Sequence, residues 1–155
     1  MSKGPIDGVK VISLKRIADE RGTIYHMLRS SDEHFKKFGE IYFSKVYKDA
    51  VKGWHTHNTI TLNYCCVVGM IKLVLFDSRK KSTSYGNIME IFMGDDNYCL
   101  AQIPIGVTNG HKGISDWSLL ASCPDLPHDQ LPKNEMERID PHHNDIPYKW
   151  DRIDN

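Results

Sequence analysis

Short apolar runs separated by turn residues dominate the chain. They are rich in Val, Ile, Tyr and Phe, as strands are, and they occupy residues 9–14, 22–28, 40–47, 61–68, 70–76, 98–103 and 117–122. Gly69 separates two of these runs and predicts a hairpin turn. Further turns are predicted at residues 77–79, 94–97 and 104–106 and at Asn109-Gly110. Strands at such regular intervals are typical of a sandwich or a barrel.

Helical signals are few, and the C-terminal part is rich in proline. Only residues 30–38 and 129–139 have weakly helical patterns. A strand in the middle of a sheet does not tolerate proline, and the tail contains Pro124, Pro127, Pro132, Pro141 and Pro147. We therefore expect an all-β protein with short helical segments, whose Pro-rich C-terminal tail wraps the outside of the sheets or caps one end.

Length and charge narrow the functional classes. The 155 residues are enough for one domain, and we expect residues 1–155 to form it. The 20 basic and 20 acidic side chains cancel, which argues against nucleic acid or an anionic membrane as a partner. No apolar run approaches the roughly 20 residues of a membrane-spanning helix, and no signal-peptide pattern is visible. We expect a cytoplasmic protein that binds small molecules or proteins.

The four cysteines support the same compartment. Cys65, Cys66, Cys99 and Cys123 form no Cys-x-x-Cys motif. Free cysteines behave as small hydrophobic side chains and persist where the environment is reducing. We expect all four to be buried thiols.

Residues 52–57, Lys-Gly-Trp-His-Thr-His, carry the clearest chemical signal. His55 and His57 are two positions apart, so on a strand they point to the same face, which in a barrel can be the interior. The pattern resembles the first motif of the cupin superfamily of small β-barrels, in which a glycine, His-x-His, a glutamate and a second glycine follow in order. The glutamate position is Leu62 here, and the histidine of the second cupin motif, Pro-x-Gly-x-x-His, is Asn109.

Two of the four metal ligands of a cupin are thus absent. A metal site usually needs three or more protein ligands, so we expect no metal at His55 and His57. Two alternatives remain open. The chain could be a metal-dependent cupin, such as a dioxygenase or a sugar isomerase, or the two histidines could be core residues without a chemical role.

A more extensive resemblance covers nearly the whole chain. Its segments, in order, are Asp-Glu-Arg-Gly at 19–22, Lys-Gly-Trp-His at 52–55, the run at 69–79, Ser-Thr-Ser-Tyr-Gly at 82–86, Ile-Pro-Ile-Gly at 103–106 and Ile-Pro-Tyr-Lys-Trp at 146–150. In this order and spacing they resemble the dTDP-4-dehydrorhamnose 3,5-epimerase family. The resemblance implies a metal-free cupin-type jelly-roll β-barrel that forms a homodimer and needs no cofactor.

The resemblance also implies a substrate and a reaction. The substrate is a nucleotide-diphosphate-linked 4-keto-6-deoxyhexose, used in the synthesis of polysaccharides or glycoconjugates, and the reaction is epimerisation at C3, C5 or both. A carbon next to a ketone loses its proton when a base lies on one face and the resulting oxyanion is stabilised. Return of the proton to the opposite face inverts the centre.

Individual residues inherit roles from the family. His55 corresponds to the catalytic base, and the acidic residue that orients this base corresponds to Asp140 or Asp145. Arg21 corresponds to an arginine that binds the nucleotide diphosphate. Lys52 lies where the family has a second arginine, and lysine keeps the charge but not the planar fork.

Three family positions carry different side chains in this sequence. The lysine that stabilises the enolate is replaced by Leu62, the general-acid tyrosine falls near Ser122, and the histidine after Pro-x-Gly is Asn109. Tyr64 shares the inward face of Leu62, and Tyr42 lies on a strand that lines the pocket of the family. Either could donate the proton, or both could be aromatic core residues.

The remaining candidates are substrate-binding residues. His57, Asn109 and His111 complete the set of polar side chains around the predicted pocket. The altered family positions also leave a third function open, a barrel that binds a sugar nucleotide without catalysis.

Overall fold

The computed structural model describes residues 3–154, which form antiparallel strands and almost no helix. The twelve strands are β1 (Lys10–Ser13), β2 (Arg16–Asp19), β3 (Gly22–Tyr25), β4 (Tyr42–Tyr47), β5 (Val51–His57), β6 (Leu62–Val68), β7 (Met70–Asp77), β8 (Ile88–Gly94), β9 (Cys99–Ile103), β10 (Val107–Gly113), β11 (Trp117–Ser122) and β12 (Met136–Arg138). A 3-10 turn at His128–Gln130 is the one helical element in this part of the chain. The all-β prediction is confirmed.

Two five-stranded sheets face each other as a jelly roll. One sheet has the order β1-β9-β6-β11-β4 and the other has the order β12-β5-β10-β7-β8, while β2 and β3 form a separate hairpin. All ladders between these strands are antiparallel. Most neighbours in the sheets are distant in sequence, as the crossing connections of a jelly roll require.

The hydrophobic core lies between the two sheets. Alternate residues of each strand point inward, for example Leu62 and Cys66 of β6 and Leu73 of β7, and all three are buried in one cluster. A second cluster forms on the outer face of the sheet that contains β5. There Trp54 packs against Trp150 of the C-terminal tail. Strand β5 therefore has one face toward the interior and one face under the tail.

Two of the predicted turns are wrong in instructive ways. Gly69 does adopt a left-handed conformation with φ of 72°, but it joins β6 and β7, which belong to different sheets, so it makes no hairpin. Asn109 and Gly110 lie inside β10. A Cβ atom at Gly110 would come within 3.1 Å of the Trp150 ring, so this glycine makes room for the tail.

The predicted helical segments are also wrong. Residues 30–38 form turns and irregular structure. The segment 129–139 contains β12, because its backbone bonds to the edge of β5: the N–H and C=O of Trp54 pair with those of Ile139 at 2.8 and 3.0 Å. The predicted burial of the four cysteines is confirmed, and all are free thiols. None of the helical structure within residues 3–154 is long and apolar enough to cross a membrane.

Candidate active site

Strand β5 presents its two histidines to the interior of the barrel. Trp54 lies in the outer cluster, so the alternation of a strand directs His55 and His57 to the opposite, inner face. His55 is half-buried and His57 is buried. The packing of Trp54 under the tail thus fixes the direction in which both imidazoles point.

Strand β10 brings two more candidates to the same wall. Asn109 pairs with His55 and His111 with Lys52, with a shift of register between them. The Asn109 amide donates to the His55 carbonyl at 3.1 Å, which leaves its second amide hydrogen for a ligand. The sequence-predicted residues His55, Lys52, Asn109 and His111 are therefore neighbours in the structure.

Lys52 connects the two sheets at this wall. Its ammonium donates to the Ser44 hydroxyl at 2.8 Å and to the Lys45 carbonyl at 2.6 Å, both on β4. These bonds hold the Lys52 charge against β4. Because two of its three donors are engaged, Lys52 has limited capacity for an anionic ligand.

Burial and neighbouring charges keep the imidazoles neutral. Burial lowers the pKa of His55, and the charges of Arg138 and His57 lower it further. Burial, Lys52 and His55 together lower the pKa of His111 to about 4, and its buried Nε2 atom has no hydrogen-bond partner among residues 3–154. At neutral pH both rings are uncharged, the form that a general base requires.

A row of three polar side chains faces this wall from the other sheet. Ser122 pairs with Tyr42 of β4 on one side and with Tyr64 of β6 on the other. Directly opposed residues share a face, so the two tyrosines flank the position where the family carries its tyrosine. The Ser122 hydroxyl is buried and has no hydrogen-bond partner in the described part of the chain.

The two tyrosines differ in environment. Tyr64 is only 6% exposed, and its hydroxyl forms no hydrogen bond within the described chain. Burial, with a smaller effect of Tyr42, raises the pKa of Tyr64 far above its ordinary value. Tyr42 is 36% exposed, and its ring packs edge-on against His128 at 5.5 Å between ring centres.

The predicted carboxylate partner of His55 is not beside it. Asp140 instead accepts hydrogen bonds from the backbone N–H groups of His142 and His143 at 2.8 and 2.9 Å, so its exposed carboxylate caps the turn after β12. Asp145 is exposed and has no hydrogen bond or ion pair among residues 3–154. The interpretation of either aspartate as the residue that orients His55 therefore has no support in this geometry.

Glu135, which sequence reasoning missed, forms the buried carboxylate–imidazole pair of the site. Its side chain is 4% exposed, and its two oxygens lie 2.9 and 3.1 Å from His57 Nδ1. The pairing of β12 with β5 sets Met136 opposite His57, which carries the preceding Glu135 to this position. No motif marks this residue, and its place in a Pro-rich tail gave no signal of burial.

Arg21 lies away from these residues. It occupies the turn between β2 and β3, where its guanidinium bonds to Asp19. Both side chains are exposed. None of the described contacts connects Arg21 with His55 or its neighbours in the same chain.

The donor set for a metal is incomplete in the described structure. Between residues 3 and 154, no three His, Cys, Asp or Glu side chains converge as a metal site would need. The His57 nitrogen that faces a carboxylate already bonds to Glu135. Leu62, which stands in the cupin glutamate position, has no atom that can bind a metal.

A jelly roll with an imidazole on one inner wall and tyrosines on the facing wall has the types of side chain that a carbohydrate epimerase, an enzyme of the isomerase class, uses to transfer a proton. Residues 3–153 match the sequence profile of dTDP-4-dehydrorhamnose 3,5-epimerase. The chain belongs to this family.

Three relatives illustrate the similarity. The spore coat polysaccharide biosynthesis protein SpsL of Bacillus subtilis is 32% identical over 114 residues, which cover 74% of this chain and 76% of SpsL. The probable low-salt glycan biosynthesis epimerase Agl13 of Haloferax volcanii is 31% identical over 146 residues, 92% of this chain and 88% of its own. A dTDP sugar isomerase from Desulfovibrio desulfuricans superposes with a TM-score of 0.89 at 37% identity, covering 96% of this chain and 94% of its own.

Proposed function

We propose that the protein epimerises a nucleotide-diphosphate-linked 4-keto-6-deoxyhexose at C3, C5 or both, in the synthesis of a polysaccharide or another glycan. The observation that carries the proposal is the position of neutral His55 on one inner wall, opposite the row formed by Tyr64, Ser122 and Tyr42. The relatives named for spore coat polysaccharide and for glycan biosynthesis support the same pathway class.

In the first step His55 acts as the base. A neutral ring nitrogen removes the proton from the carbon next to the C4 ketone, and the electron pair of the broken C–H bond moves into the enolate with its charge on the C4 oxygen. The lowered pKa of His55 keeps the base free of protons at neutral pH. Burial of the surrounding wall strengthens any hydrogen bond to the developing oxyanion.

In the second step Tyr64 returns a proton to the opposite face. The residue is buried, its hydroxyl has no hydrogen-bond partner among residues 3–154, and its raised pKa keeps it protonated until the carbanion accepts the proton. Transfer leaves a tyrosinate and an imidazolium, which regain neutrality when a proton moves back through solvent or product exchange. Tyr42, which is more exposed and lies two strands from Tyr64 in the same sheet, is the alternative donor.

Proton exchange with solvent tests the proposal directly. The enzyme is incubated in heavy water with thymidine-diphospho-4-keto-6-deoxyglucose, and mass spectrometry follows deuterium at C3 and C5. We expect deuterium uptake in the wild type, none in His55→Asn, and a loss of about 10²- to 10⁴-fold in turnover for one tyrosine variant, Tyr64→Phe.

The matched control is Tyr42→Phe, which removes a hydroxyl from the same row. A larger loss in Tyr42→Phe than in Tyr64→Phe would exchange the roles of the two tyrosines. Absence of deuterium uptake with thymidine- and uridine-linked 4-keto sugars alike would contradict the epimerase proposal.

We also propose that the protein is a homodimer. The hairpin of β2 and β3 is exposed throughout, including the directly paired Ile17 and Ile24. On the outer face of the first sheet, Phe43, Tyr47 and Trp117 are 57%, 64% and 43% exposed. Apolar patches of this kind mark interaction surfaces, and the cancelling charges give two copies little reason to repel.

Light scattering measures the oligomeric state. We expect a mass of two 17.8 kDa chains for the wild type and for Lys81→Asp, an exposed polar control, but a single chain for Phe43→Asp. A wild-type monomer at micromolar concentration would refute the dimer. The buried free thiols fit a reducing compartment, and we propose the cytoplasm as the location.

A further inference from the structure

Strand β12 adds an arginine to the wall that carries His55. In the ladder between β12 and β5, Arg138 pairs with His55 and Met136 with His57. Residues directly opposite each other in an antiparallel pair share a face. The Arg138 side chain therefore leaves the sheet on the same face as the catalytic imidazole.

The hydrogen-bond pattern places these two side chains close together. Trp54 and Ile139 exchange both backbone hydrogen bonds, at 2.8 and 3.0 Å. The next pair along an antiparallel ladder is a non-hydrogen-bonded one, with Cα atoms about 4.5 Å apart and the side chains closer than in the hydrogen-bonded pair. His55 and Arg138 are that pair, and the charge of Arg138 lowers the pKa of His55.

The guanidinium of Arg138 is free to bind a ligand. Each of the other arginines within residues 3–154 bonds to a protein atom (Arg16, Arg21, Arg29, Arg79 and Arg152). Arg138 has no hydrogen bond or ion pair in the same part of the chain and is exposed at the edge strand. It is the one arginine there with all its donors available.

Within the described chain, the two cations predicted from the sequence bring no free guanidinium to this place. Lys52 uses two of its three donors on Ser44 and Lys45, and Arg21 bonds to Asp19 on the β2–β3 hairpin. A diphosphate is a permanent dianion that a planar guanidinium fork binds with two parallel hydrogen bonds.

We propose that Arg138 binds the diphosphate of the sugar nucleotide beside His55. This inference rests on the proposed function for the identity of the ligand. The exposed edge position favours the diphosphate over the enolate oxygen, because an enolate is stabilised by donors that are preorganised in a water-excluded site. A long side chain at the solvent edge can contact the diphosphate, which joins the sugar to the nucleoside and extends from the sugar toward solvent.

Binding and kinetics of Arg138→Gln test the assignment. The KM for the 4-keto sugar nucleotide is expected to rise about 10- to 100-fold, with kcat within a few-fold of wild type, because hydrogen bonds to a charged group are lost in the ground state and the transition state alike. The KM of Arg138→Lys should lie between the values of the wild type and of Arg138→Gln. Calorimetry should show the same weakening for thymidine diphosphate and no change for thymidine, which lacks phosphates.

Glu137→Gln is the matched control. Glu137 is the neighbour of Arg138 on β12 but pairs with Thr56, so it points to the other face. We expect this variant to keep the wild-type KM and the wild-type affinity for thymidine diphosphate. Circular dichroism confirms that the exposed substitutions leave the fold intact.

The outcomes separate this proposal from the proposed function. A wild type that binds thymidine diphosphate through Arg138 but exchanges no deuterium would support the binding role and overturn the epimerase. Unchanged affinity in Arg138→Gln would overturn the binding role, and a fall in kcat at constant KM would assign Arg138 to the enolate instead. A wild type that binds neither thymidine nor uridine diphosphate would also overturn it.

Discussion

His111 gives the protein a specific sensitivity to mild acid. In the unfolded chain its imidazole takes up a proton below about pH 6.5, the ordinary value for histidine. In the folded protein the ring stays neutral until about pH 4, because it is buried beside Lys52 and His55. The unfolded state thus binds more protons between these limits, so the free energy of unfolding falls as the pH decreases.

The size of the effect follows from the two pKa values. The interval between 6.5 and about 4 corresponds to about 3 kcal/mol once the pH is below both values. At pH 5 the linkage relation gives a decrease of about 2 kcal/mol in the free energy of unfolding, whereas at pH 7 it gives almost no decrease. Because aspartates and glutamates remain largely ionised at pH 5, the histidines dominate this interval.

Urea titrations at pH 7 and pH 5 measure the effect in wild type and in His111→Gln, which keeps a polar side chain of similar size but does not titrate. Between pH 7 and pH 5, the free energy of unfolding of the variant should fall by about 2 kcal/mol less than that of the wild type, whatever the stability of the variant at pH 7. His142→Gln removes an imidazole that is solvated before and after unfolding and should behave as wild type. Equal losses in His111→Gln and wild type would refute the reasoning.

Three further predictions concern the carboxylates and the base. Glu135→Ala should lower the free energy of unfolding at pH 7 by about 2–4 kcal/mol in urea titrations, because it leaves buried His57 unpaired, whereas exposed Glu137→Ala should stay within about 0.5 kcal/mol. Burial alone would raise the pKa of Asp77, but hydrogen bonds from neighbouring side chains hold this pKa well below its usual range. Urea titrations should therefore show that Asp77→Asn lowers the free energy of unfolding at pH 7. The difference from wild type should shrink below about pH 4, where the carboxylate of the unfolded chain takes up a proton. The acidic limb of kcat/KM should lie below pH 6.5, because burial and nearby charges lower the pKa of His55, and a limb above 6.5 would contradict His55 as the base.

Most strands that are apolar runs could be predicted from the sequence, although β8 was not among them, and the polar strand β10 could not. The run at 117–122 coincides with β11, and the run at 61–68 nearly coincides with β6. Strand β10, with the sequence Val-Thr-Asn-Gly-His-Lys-Gly, is buried almost throughout although most of its side chains are polar. Its burial comes from β5 and β7 on either side and from the Trp150 ring over Gly110, which are contacts that no local pattern reports.

The candidate site divides in the same way. The spacing of His55 and His57 and the family resemblance located one wall, and the alternation of a strand located Tyr64 on the other. Glu135 and Arg138 could not be predicted, because their positions depend on the pairing of β12 with β5. These two strands are about 80 residues apart in the sequence. Side chains that reach a site through pairing of distant strands leave no periodic trace in their own segment.

The pairing of β12 with β5 also protects the protein against aggregation. In its absence β5 would be the edge of its sheet, with the unpaired N–H and C=O groups that template contacts between chains. Strand β12 is short, carries Glu137 and Arg138, and lies close to Pro132 and Pro141, which are devices that discourage further strands from adding. The segment that places Arg138 opposite His55 therefore also covers the edge of β5, so the same few residues shape the candidate site and shield the sheet.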